Sequence, residues 1–317
     1  MSKGKILFID TVHPYLQEAL EQHGFTCVDG YHLSKEDTIT HWNDYIGIVI
    51  RSRFKIDHDF LMAANGLKFI ARAGAGMENI DVSTATTLGV MCLNAPEGNR
   101  NAVAEQAMAM LLALNNHLLR ADREVREGIW LREENRGWEL EGKSIGIIGF
   151  GNTGSSFAKK LIGFDSQILA YDPYIQINPI DFPHVRQSTL PELFDQCDVV
   201  SMHVPLTEET RHMVNDDFLN SFKKPIRFIN TSRGKVVDTA ALVRAMQSGR
   251  VLGAALDVIE YESVSFETLD SSELPEPMRY LISSDRTVLT PHIAGWTHES
   301  NLKISKVLAE KIIRLFQ

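Results

Sequence analysis

Cysteine is scarce: Cys27, Cys92 and Cys197 are the only three in 317 residues, and none belongs to a C-x-x-C pair. That spacing excludes a disulfide framework and a thiolate zinc site. It fits small buried hydrophobes in a reducing compartment. Positive charge is also short. The 32 Lys and Arg against 41 Asp and Glu leave a net charge of −9, whereas a nucleic-acid partner calls for a basic face. No apolar run is long enough for a membrane span. The most apolar helical stretch, Val103 to Leu119, carries Glu105, Gln106, Asn115, Asn116 and His117, too many polar groups for a bilayer. From Met1 the chain runs into a strand with no signal-like segment, so a cytoplasmic protein with no membrane partner is expected. Neither a G-x-S-x-G elbow nor a G-x-x-x-x-G-K-[ST] loop occurs, which leaves hydrolase and kinase readings unsupported. Nor do the histidines form a metal site. His292 and His298 fall outside i, i+4 spacing, and His13, His23, His32, His41, His58 and His117 sit in polar or helical settings. Repeats and low-complexity tracts are missing as well.

What is present is an ordinary globular composition, 44% hydrophobic and 23% charged, at a length that suits two domains. Short apolar runs alternate with amphipathic stretches. Runs at Lys5–Asp10, Phe25–Val28, Ile46–Ile50, Leu67–Ala71 and Val90–Asn94 read as strands. Helices read at Pro14–His23, after a Ser34–Asp37 capping box, and near Asp57–Ala64. One long helix is expected over Ala102–Arg126, apolar nearly all round up to Leu114 and therefore buried. Beyond it come strands at Asp198–His203, Ile226–Asn230, Leu252–Asp257 and Thr287–Thr290, a helix at Thr239–Ser248, and a terminal helix at Thr297–Leu315. Glu260–Asp285 reads as a long irregular region with Pro275 and Pro277. This alternation is the mark of α/β units with parallel sheets covered on both faces.

The densest signal is the apolar run Ile145–Ile148 followed by Gly149, Gly151 and Gly154 in the order G-x-G-x-x-G, then an amphipathic segment with Phe157, Ala158, Leu161 and Ile162 on one face. The first glycine permits the tight turn, the second lets a pyrophosphate approach, and the third lets helix and strand pack closely. Free N–H groups of the first helical turn then face the phosphates. A second apolar run ends at Asp172, 18 residues after Gly154, near the spacing of a ribose-binding acid that favours NAD over NADP. The competing reading is a ligand-free βα turn.

In such sheets ligands bind beyond the carboxyl ends of strands. Polar residues there include Arg51, Arg53, Arg72, His203, Arg233, Asp257 and His292, with Glu262 a short step after Asp257. Hydride chemistry at a carbonyl needs a proton donor, for which His serves near neutral pH, and a cation for the substrate carboxylate, for which Arg offers a planar fork. A carboxylate behind the His orients its ring. Singly, Arg233, Glu262 and His292 also fit a strand-end cap, a solvated acid and a turn histidine. Together, beside a nucleotide turn, they form a catalytic constellation. Trp130 and Trp138, in and beyond the charged run 120–136, fit a subunit contact.

These stretches resemble the D-isomer-specific 2-hydroxyacid dehydrogenase family over nearly the full length. The resemblance is carried by 72–81, 94–99, 103–105, 149–154, 203–206, 230–234, 253–258 and 290–295. It implies two doubly wound parallel-sheet domains with a cleft between them: a flavodoxin-like substrate domain (1–98 plus 296–317) and a Rossmann NAD-binding domain (99–295). It implies catalytic roles for Arg233, Glu262 and His292. Cofactor contacts are implied at Gly149, Gly151, Asn152, Thr153, Gly154, Asp172, His203, Pro205, Thr231, Ser232, Arg233, Asp257, His292 and Gly295. The amides of Ala73, Gly74 and Ala75 are implied to hold the substrate carboxylate, and the implied assembly is a homodimer. Within the family the chain is most similar to the 3-phosphoglycerate dehydrogenases, whose substrate-side motif Arg51-Ser52-Arg53 resembles. Phe54 stands where threonine is common and Ser263 where proline is usual. Glyoxylate or hydroxypyruvate reduction on the same machinery is the near alternative, and a protein that binds NAD as a switch is the distant one.

Overall fold

The computed structural model describes residues 3–40, 44–64, 66–262 and 274–317. His41 and Ser263 lie outside the described residues. The chain divides into two compact units, Met1–Arg100 with Trp296–Gln317 and Asn101–Gly295.

The first unit is built on β1 (Lys5–Phe8), α1 (Tyr15–Gln22), β2 (Thr26–Asp29), α2 (Lys35–Thr40), β3 (Tyr45–Ile50), α3 (His58–Ala63), β4 (Phe69–Arg72), α4 (Val82–Thr87) and β5 (Met91–Leu93). Its strands pair in the order β2-β1-β3-β4-β5, all parallel, the flavodoxin-like order. The Ser34–Asp37 capping box forms, with the Ser34 hydroxyl donating to the Asp37 carboxylate at 2.8 Å. Helix α4 has no apolar stripe to reveal it. Asp81 starts it by accepting the Thr84 amide at 3.0 Å.

Chain connection to the second unit runs through α5 (Pro96–Asn115), followed by α6 (Leu118–Arg126). The single helix read over 102–126 is therefore two. It breaks at His117, whose φ of 50° is left-handed and ends the α-helical hydrogen-bond run. It also starts earlier, at Pro96, where a missing N–H costs nothing. The second unit continues with β6 (Ser144–Ile148), α7 (Asn152–Lys160), β7 (Gln167–Tyr171), β8 (Val185–Gln187), α8 (Leu190–Gln196), β9 (Val199–Met202), α9 (Asp216–Ser221), β10 (Ile226–Asn230), α10 (Thr239–Gln247), β11 (Val251–Leu256), α11 (Glu276–Ser283) and β12 (Thr287–Leu289). Helix α11 corrects the irregular reading of 260–285 at its far end: Pro275 and Pro277 sit at the helix start, where proline is tolerated, and not inside it.

The seven strands run β12-β11-β10-β9-β6-β7-β8, all parallel. The chain winds outward from β6 to β8 on one side and from β9 to β12 on the other, so the direction reverses between β6 and β9. That reversal opens the crevice where doubly wound sheets take ligands. Both faces are covered. Ala107, Leu111 and Leu114 of α5 pack with Ile145, Ile147 and Phe157, and Leu242 and Met246 of α10 pack with Val200 and Phe228 on the other face. The final helix, α12 (His298–Arg314), returns to the first unit and adds Ile304, Leu308 and Ile312 to its core beside Leu16 and Phe69.

Candidate active site

The glycine turn takes the form its sequence implies. Gly149 has φ +90°, and a Cβ there would lie 2.6 Å from the His203 carbonyl oxygen; a Cβ on Gly154 would lie 2.0 Å from the Gly149 carbonyl oxygen. Both positions therefore require glycine. Around Gly151 the space is open, with no atom within 4 Å of a built Cβ. Gly151 is also the N-cap of α7 and makes no side-chain cap, so the helix start, with Asn152 and Thr153 in its first turn, offers bare N–H donors. Asp172, at the end of the neighbouring strand β7, accepts the Phe150 amide on Oδ2 at 2.8 Å and the Tyr174 and Ile175 amides on Oδ1 at 2.9 and 3.0 Å. The acid thus ties its own loop to the glycine turn and keeps a lone pair on Oδ2 for a ribose hydroxyl.

His203 follows β9. It is 7% exposed, its Nε2 lies 2.8 Å from the Ser201 hydroxyl, and its ring leans on Phe157. Burial pushes the imidazole down to about 3, so the ring is neutral at physiological pH. Its Nδ1 and the Thr231 hydroxyl, at the ends of adjacent strands, are buried without a hydrogen-bond partner. Orphaned polar atoms of this kind call for an explanation. Here they border the crevice, and together with the open space at Gly151 they fit a dinucleotide. The Pro205 carbonyl is held by the Thr210 hydroxyl at 2.6 Å.

After β10 comes the turn Thr231–Arg233. It is shaped by Asn230, which belongs to the 230–234 stretch that carries the resemblance but takes no role of its own from it. The fully buried Asn230 amide accepts the Ser232 N–H and hydroxyl at 3.0 and 2.7 Å, and donates to the Arg233 carbonyl at 2.9 Å. The cue was an Asn at a strand end followed by Thr-Ser, the composition of an Asx turn. Arg233 is half-buried and donates to the Ser232 carbonyl at 2.6 Å.

Asp257, at the end of β11, is 1% exposed. Its carboxylate accepts the Thr290 hydroxyl at 2.6 Å and the Ile293 and Ala294 amides at 2.9 Å each. These bonds gather the loop after β12 into a fixed shape that runs on to Gly295, the last residue of the unit. Within that loop His292 has φ +55°, unusual for a side-chain-bearing residue and the kind of strain that functional sites hold. Its amide donates to the Asp257 and Thr290 carbonyls at 2.8 and 3.0 Å. Its Nδ1 meets Glu262 Oε2 at 3.0 Å, with both side chains about a fifth exposed, 24% and 19%. Glu262 and His292, 30 residues apart in sequence, are thus in direct contact, and Arg233 stands at the same sheet edge.

In the first unit the Arg51–Arg53 turn follows β3. Asp10 Oδ2 accepts the amides of Arg51, Ser52 and Arg53 at 2.6, 3.2 and 3.3 Å. The Arg51 guanidinium lies over the Trp296 ring, 4.2 Å from its centroid. Arg53 instead donates to the carbonyls of Ile9 and Tyr31, so it braces the loop. Of the three amides expected to hold a substrate carboxylate, those of Ala73 and Gly74 are engaged within the chain. The Ala73 N–H extends the sheet to the Ile50 carbonyl at 2.7 Å, and the Gly74 N–H turns back to the Arg72 carbonyl at 2.8 Å. Backbone donors next to a strand are claimed by the ladder first. Ala75 is half-buried, and its carbonyl is held by Asn94. Among the described residues no group of three or more His, Cys, Asp or Glu could hold a metal ion, and no helix is long and apolar enough to cross a membrane.

Comparison with known proteins bears on this arrangement. Residues 108–294 match the family model of the D-isomer specific 2-hydroxyacid dehydrogenase NAD-binding domain. The chain is 35% identical over 311 residues to D-3-phosphoglycerate dehydrogenase of Archaeoglobus fulgidus, covering 98% of this chain and 57% of that protein. It is 38% identical over 287 residues to hydroxypyruvate reductase of Thermotoga maritima, covering 90% of each. Thus it spans little more than half the length of the first relative and most of the second. A D-lactate dehydrogenase from Aquifex aeolicus, solved in complex with NAD and lactic acid, superposes with a TM-score of 0.83 at 28% identity, covering 99% of this chain and 95% of that one. By its family model, its relatives and the glycine turn that both its sequence and its fold carry, the chain belongs to the D-isomer-specific 2-hydroxyacid dehydrogenases, with an NAD-binding domain at residues 108–294.

Proposed function

We propose that the protein is an NAD-dependent dehydrogenase that interconverts a D-2-hydroxy acid and its 2-keto acid. The observation that carries this reading is the 3.0 Å contact between His292 Nδ1 and Glu262. With Nδ1–H directed at the carboxylate, Nε2 is left as the atom that takes the proton from the 2-hydroxyl, or returns it to the keto oxygen in the reverse direction. Arg233 binds the substrate carboxylate and steadies the forming carbonyl. NAD would be held by the glycine turn, Asp172 and the Thr231–Arg233 turn, and would supply a nicotinamide able to accept the hydride. The Asp172 carboxylate repels the extra phosphate of NADP. In this reading 99–295 is the nucleotide domain, and 1–98 with 296–317 is the substrate domain.

For the substrate we favour 3-phosphoglycerate, oxidised to 3-phosphohydroxypyruvate in a step towards serine. The support is Arg51, a cation held ready by Asp10 and Trp296, and the likeness to a relative named for that activity. Hydroxypyruvate reduction is favoured by a separate observation: Arg53 commits its Nη1 to the main-chain carbonyls of Ile9 and Tyr31, so it is partly used within its own loop, and a relative is named for that activity. A homodimer belongs to the same proposal, supported by the exposed Leu118, Leu119, Ile129 and Trp130 on and after α6. Trp138 is partly used within the unit, where Arg227 and Lys143 lie over its ring. A sedimentation experiment that finds only monomer ends the dimer reading. A cytoplasmic setting is supported by the three unpaired cysteines.

The decisive test is His292→Ala, assayed by nicotinamide absorbance against a panel of 2-keto acids including 3-phosphohydroxypyruvate and hydroxypyruvate. Nucleotide binding is expected to persist while turnover falls by about 10² to 10⁴. Undiminished turnover removes the mechanism. If the wild type turns over none of the panel, the result favours a protein that binds the nucleotide as a switch.

A further inference from the structure

Three loops leave the carboxyl edge of the larger sheet after β9, β10 and β11, and two of them carry residues given catalytic roles above, Arg233 and Glu262. One carboxylate ties all three together. Glu260 accepts the amide of Thr239 on Oε2 at 3.0 Å, and its Oε1 lies 2.9 Å from His212 Nε2. Thr239 opens α10, directly after the Arg233 loop. His212 belongs to the loop after β9, and its own amide donates to the Lys235 carbonyl at 2.9 Å. The loops are laced further by Val214 N–H to the Val236 carbonyl at 3.0 Å and Asp238 N–H to the Val214 carbonyl at 2.9 Å. On its other side the Arg233 loop presses on the Glu260 segment. A Cβ on Gly234 would lie 2.1 Å from the Ile259 carbonyl oxygen and 2.6 Å from the Glu260 nitrogen. That same Ile259 carbonyl accepts the Glu262 amide at 3.2 Å.

We infer that Glu260 is a positioning residue of the reaction, locking the loop that bears Arg233 to the loop that bears Glu262. The inference rests on the proposed roles of Arg233, Glu262 and His292. Its physical basis is leverage over a short span. Only Tyr261 separates Glu260 from Glu262, so a shift of the anchor moves the carboxylate behind His292, and displacements of about 1 Å at such groups can cost 10²-fold in rate. A helix cap alone would need only the Thr239 bond. The second oxygen, turned to His212, is what joins the third loop.

The test compares the wild type, Glu260→Ala, Glu260→Gln and His212→Ala by steady-state kinetics, NADH titration and thermal melting. Glu260→Ala is expected to lower kcat about tenfold or more, with the NADH dissociation constant raised by much less than kcat falls, because the glycine turn and Asp172 lie on other loops and only the Thr231–Arg233 turn and the loop after His203 share the anchor. Glu260→Gln can present an oxygen to Thr239 and an amide hydrogen to His212, and is expected to recover most of kcat. His212→Ala removes one anchor and should fall between. A folded Glu260→Ala with wild-type kcat overturns the inference, as does a parallel fall in kcat and NADH affinity, which would mark general loosening. Should Glu260→Ala not fold, wild-type kcat in His212→Ala overturns it instead. These outcomes differ from failure of the functional reading itself, in which the wild type would already be inactive on every 2-keto acid.

Discussion

Acidifying the solution from pH 7 to pH 5 should destabilise this protein through one histidine, His203, by an amount that can be worked from its surroundings. The ring is 7% exposed, packed against Phe157, and held near 3 by burial against an ordinary value of 6.5. Above pH 6.5 neither the folded nor the unfolded state protonates it, so its contribution does not change. Below that value the unfolded chain binds a proton that the folded chain refuses. Stability therefore falls with pH through the window from 6.5 to about 3. The slope is about 1.4 kcal/mol per pH unit for one proton, so the drop between pH 6.5 and 5 is about 2 kcal/mol. The assay is equilibrium urea unfolding at pH 7 and pH 5 for the wild type and His203→Gln. The variant loses ring packing and is weaker at both values, but it carries no imidazole at that position to protonate. The wild type should lose about 2 kcal/mol more than the variant over this interval. Equal losses in the two proteins would refute the reasoning, and would mean that the ring takes up a proton in the folded state.

Two further substitutions test the packing of the site. Gly154→Ala sets a methyl 2.0 Å from the Gly149 carbonyl, so turn or helix must shift; NAD affinity measured by calorimetry is expected to fall at least about tenfold, with roughly 1–3 kcal/mol of stability lost, and unchanged affinity would contradict the close-approach argument. Asp257→Ala strands the Thr290 hydroxyl and the Ile293 and Ala294 amides. A loss of roughly 3 kcal/mol is expected in denaturant titration, together with faster amide exchange at 293 and 294; unaltered exchange there would show that Asp257 does not hold the histidine loop.

Much of the site can be read along the chain, and the legible part has a common character. The glycine turn and Asp172 depend on a local βα geometry that a few residue types alone permit. The polar residues after each apolar run mark strand ends because a buried parallel strand must stop where polarity begins. Elements without an apolar stripe or a strong breaker are harder to read. Helix α4 is announced only by its Asp81 cap. The split between α5 and α6 turns on the φ of His117, a non-glycine residue whose letter does not announce it. Helix α11 hides behind two prolines that look like loop residues until one knows that they occupy its start.

By itself the sequence determined the strand–helix alternation, the phosphate turn and the chemical identity of Arg233, Glu262 and His292, since short-range sterics and hydrophobic periodicity act between near neighbours along the chain. The tertiary structure alone decided which distant groups meet. It set Glu262 against His292, wrapped the histidine loop around Asp257, turned Arg53 and the Ala73 amide inward, and gathered three loops on Glu260. Hydrogen bonds and charge contacts of this kind act over a few ångströms in space whatever the separation in sequence, so the order of the strands in the sheet had to be known before any of these contacts could be.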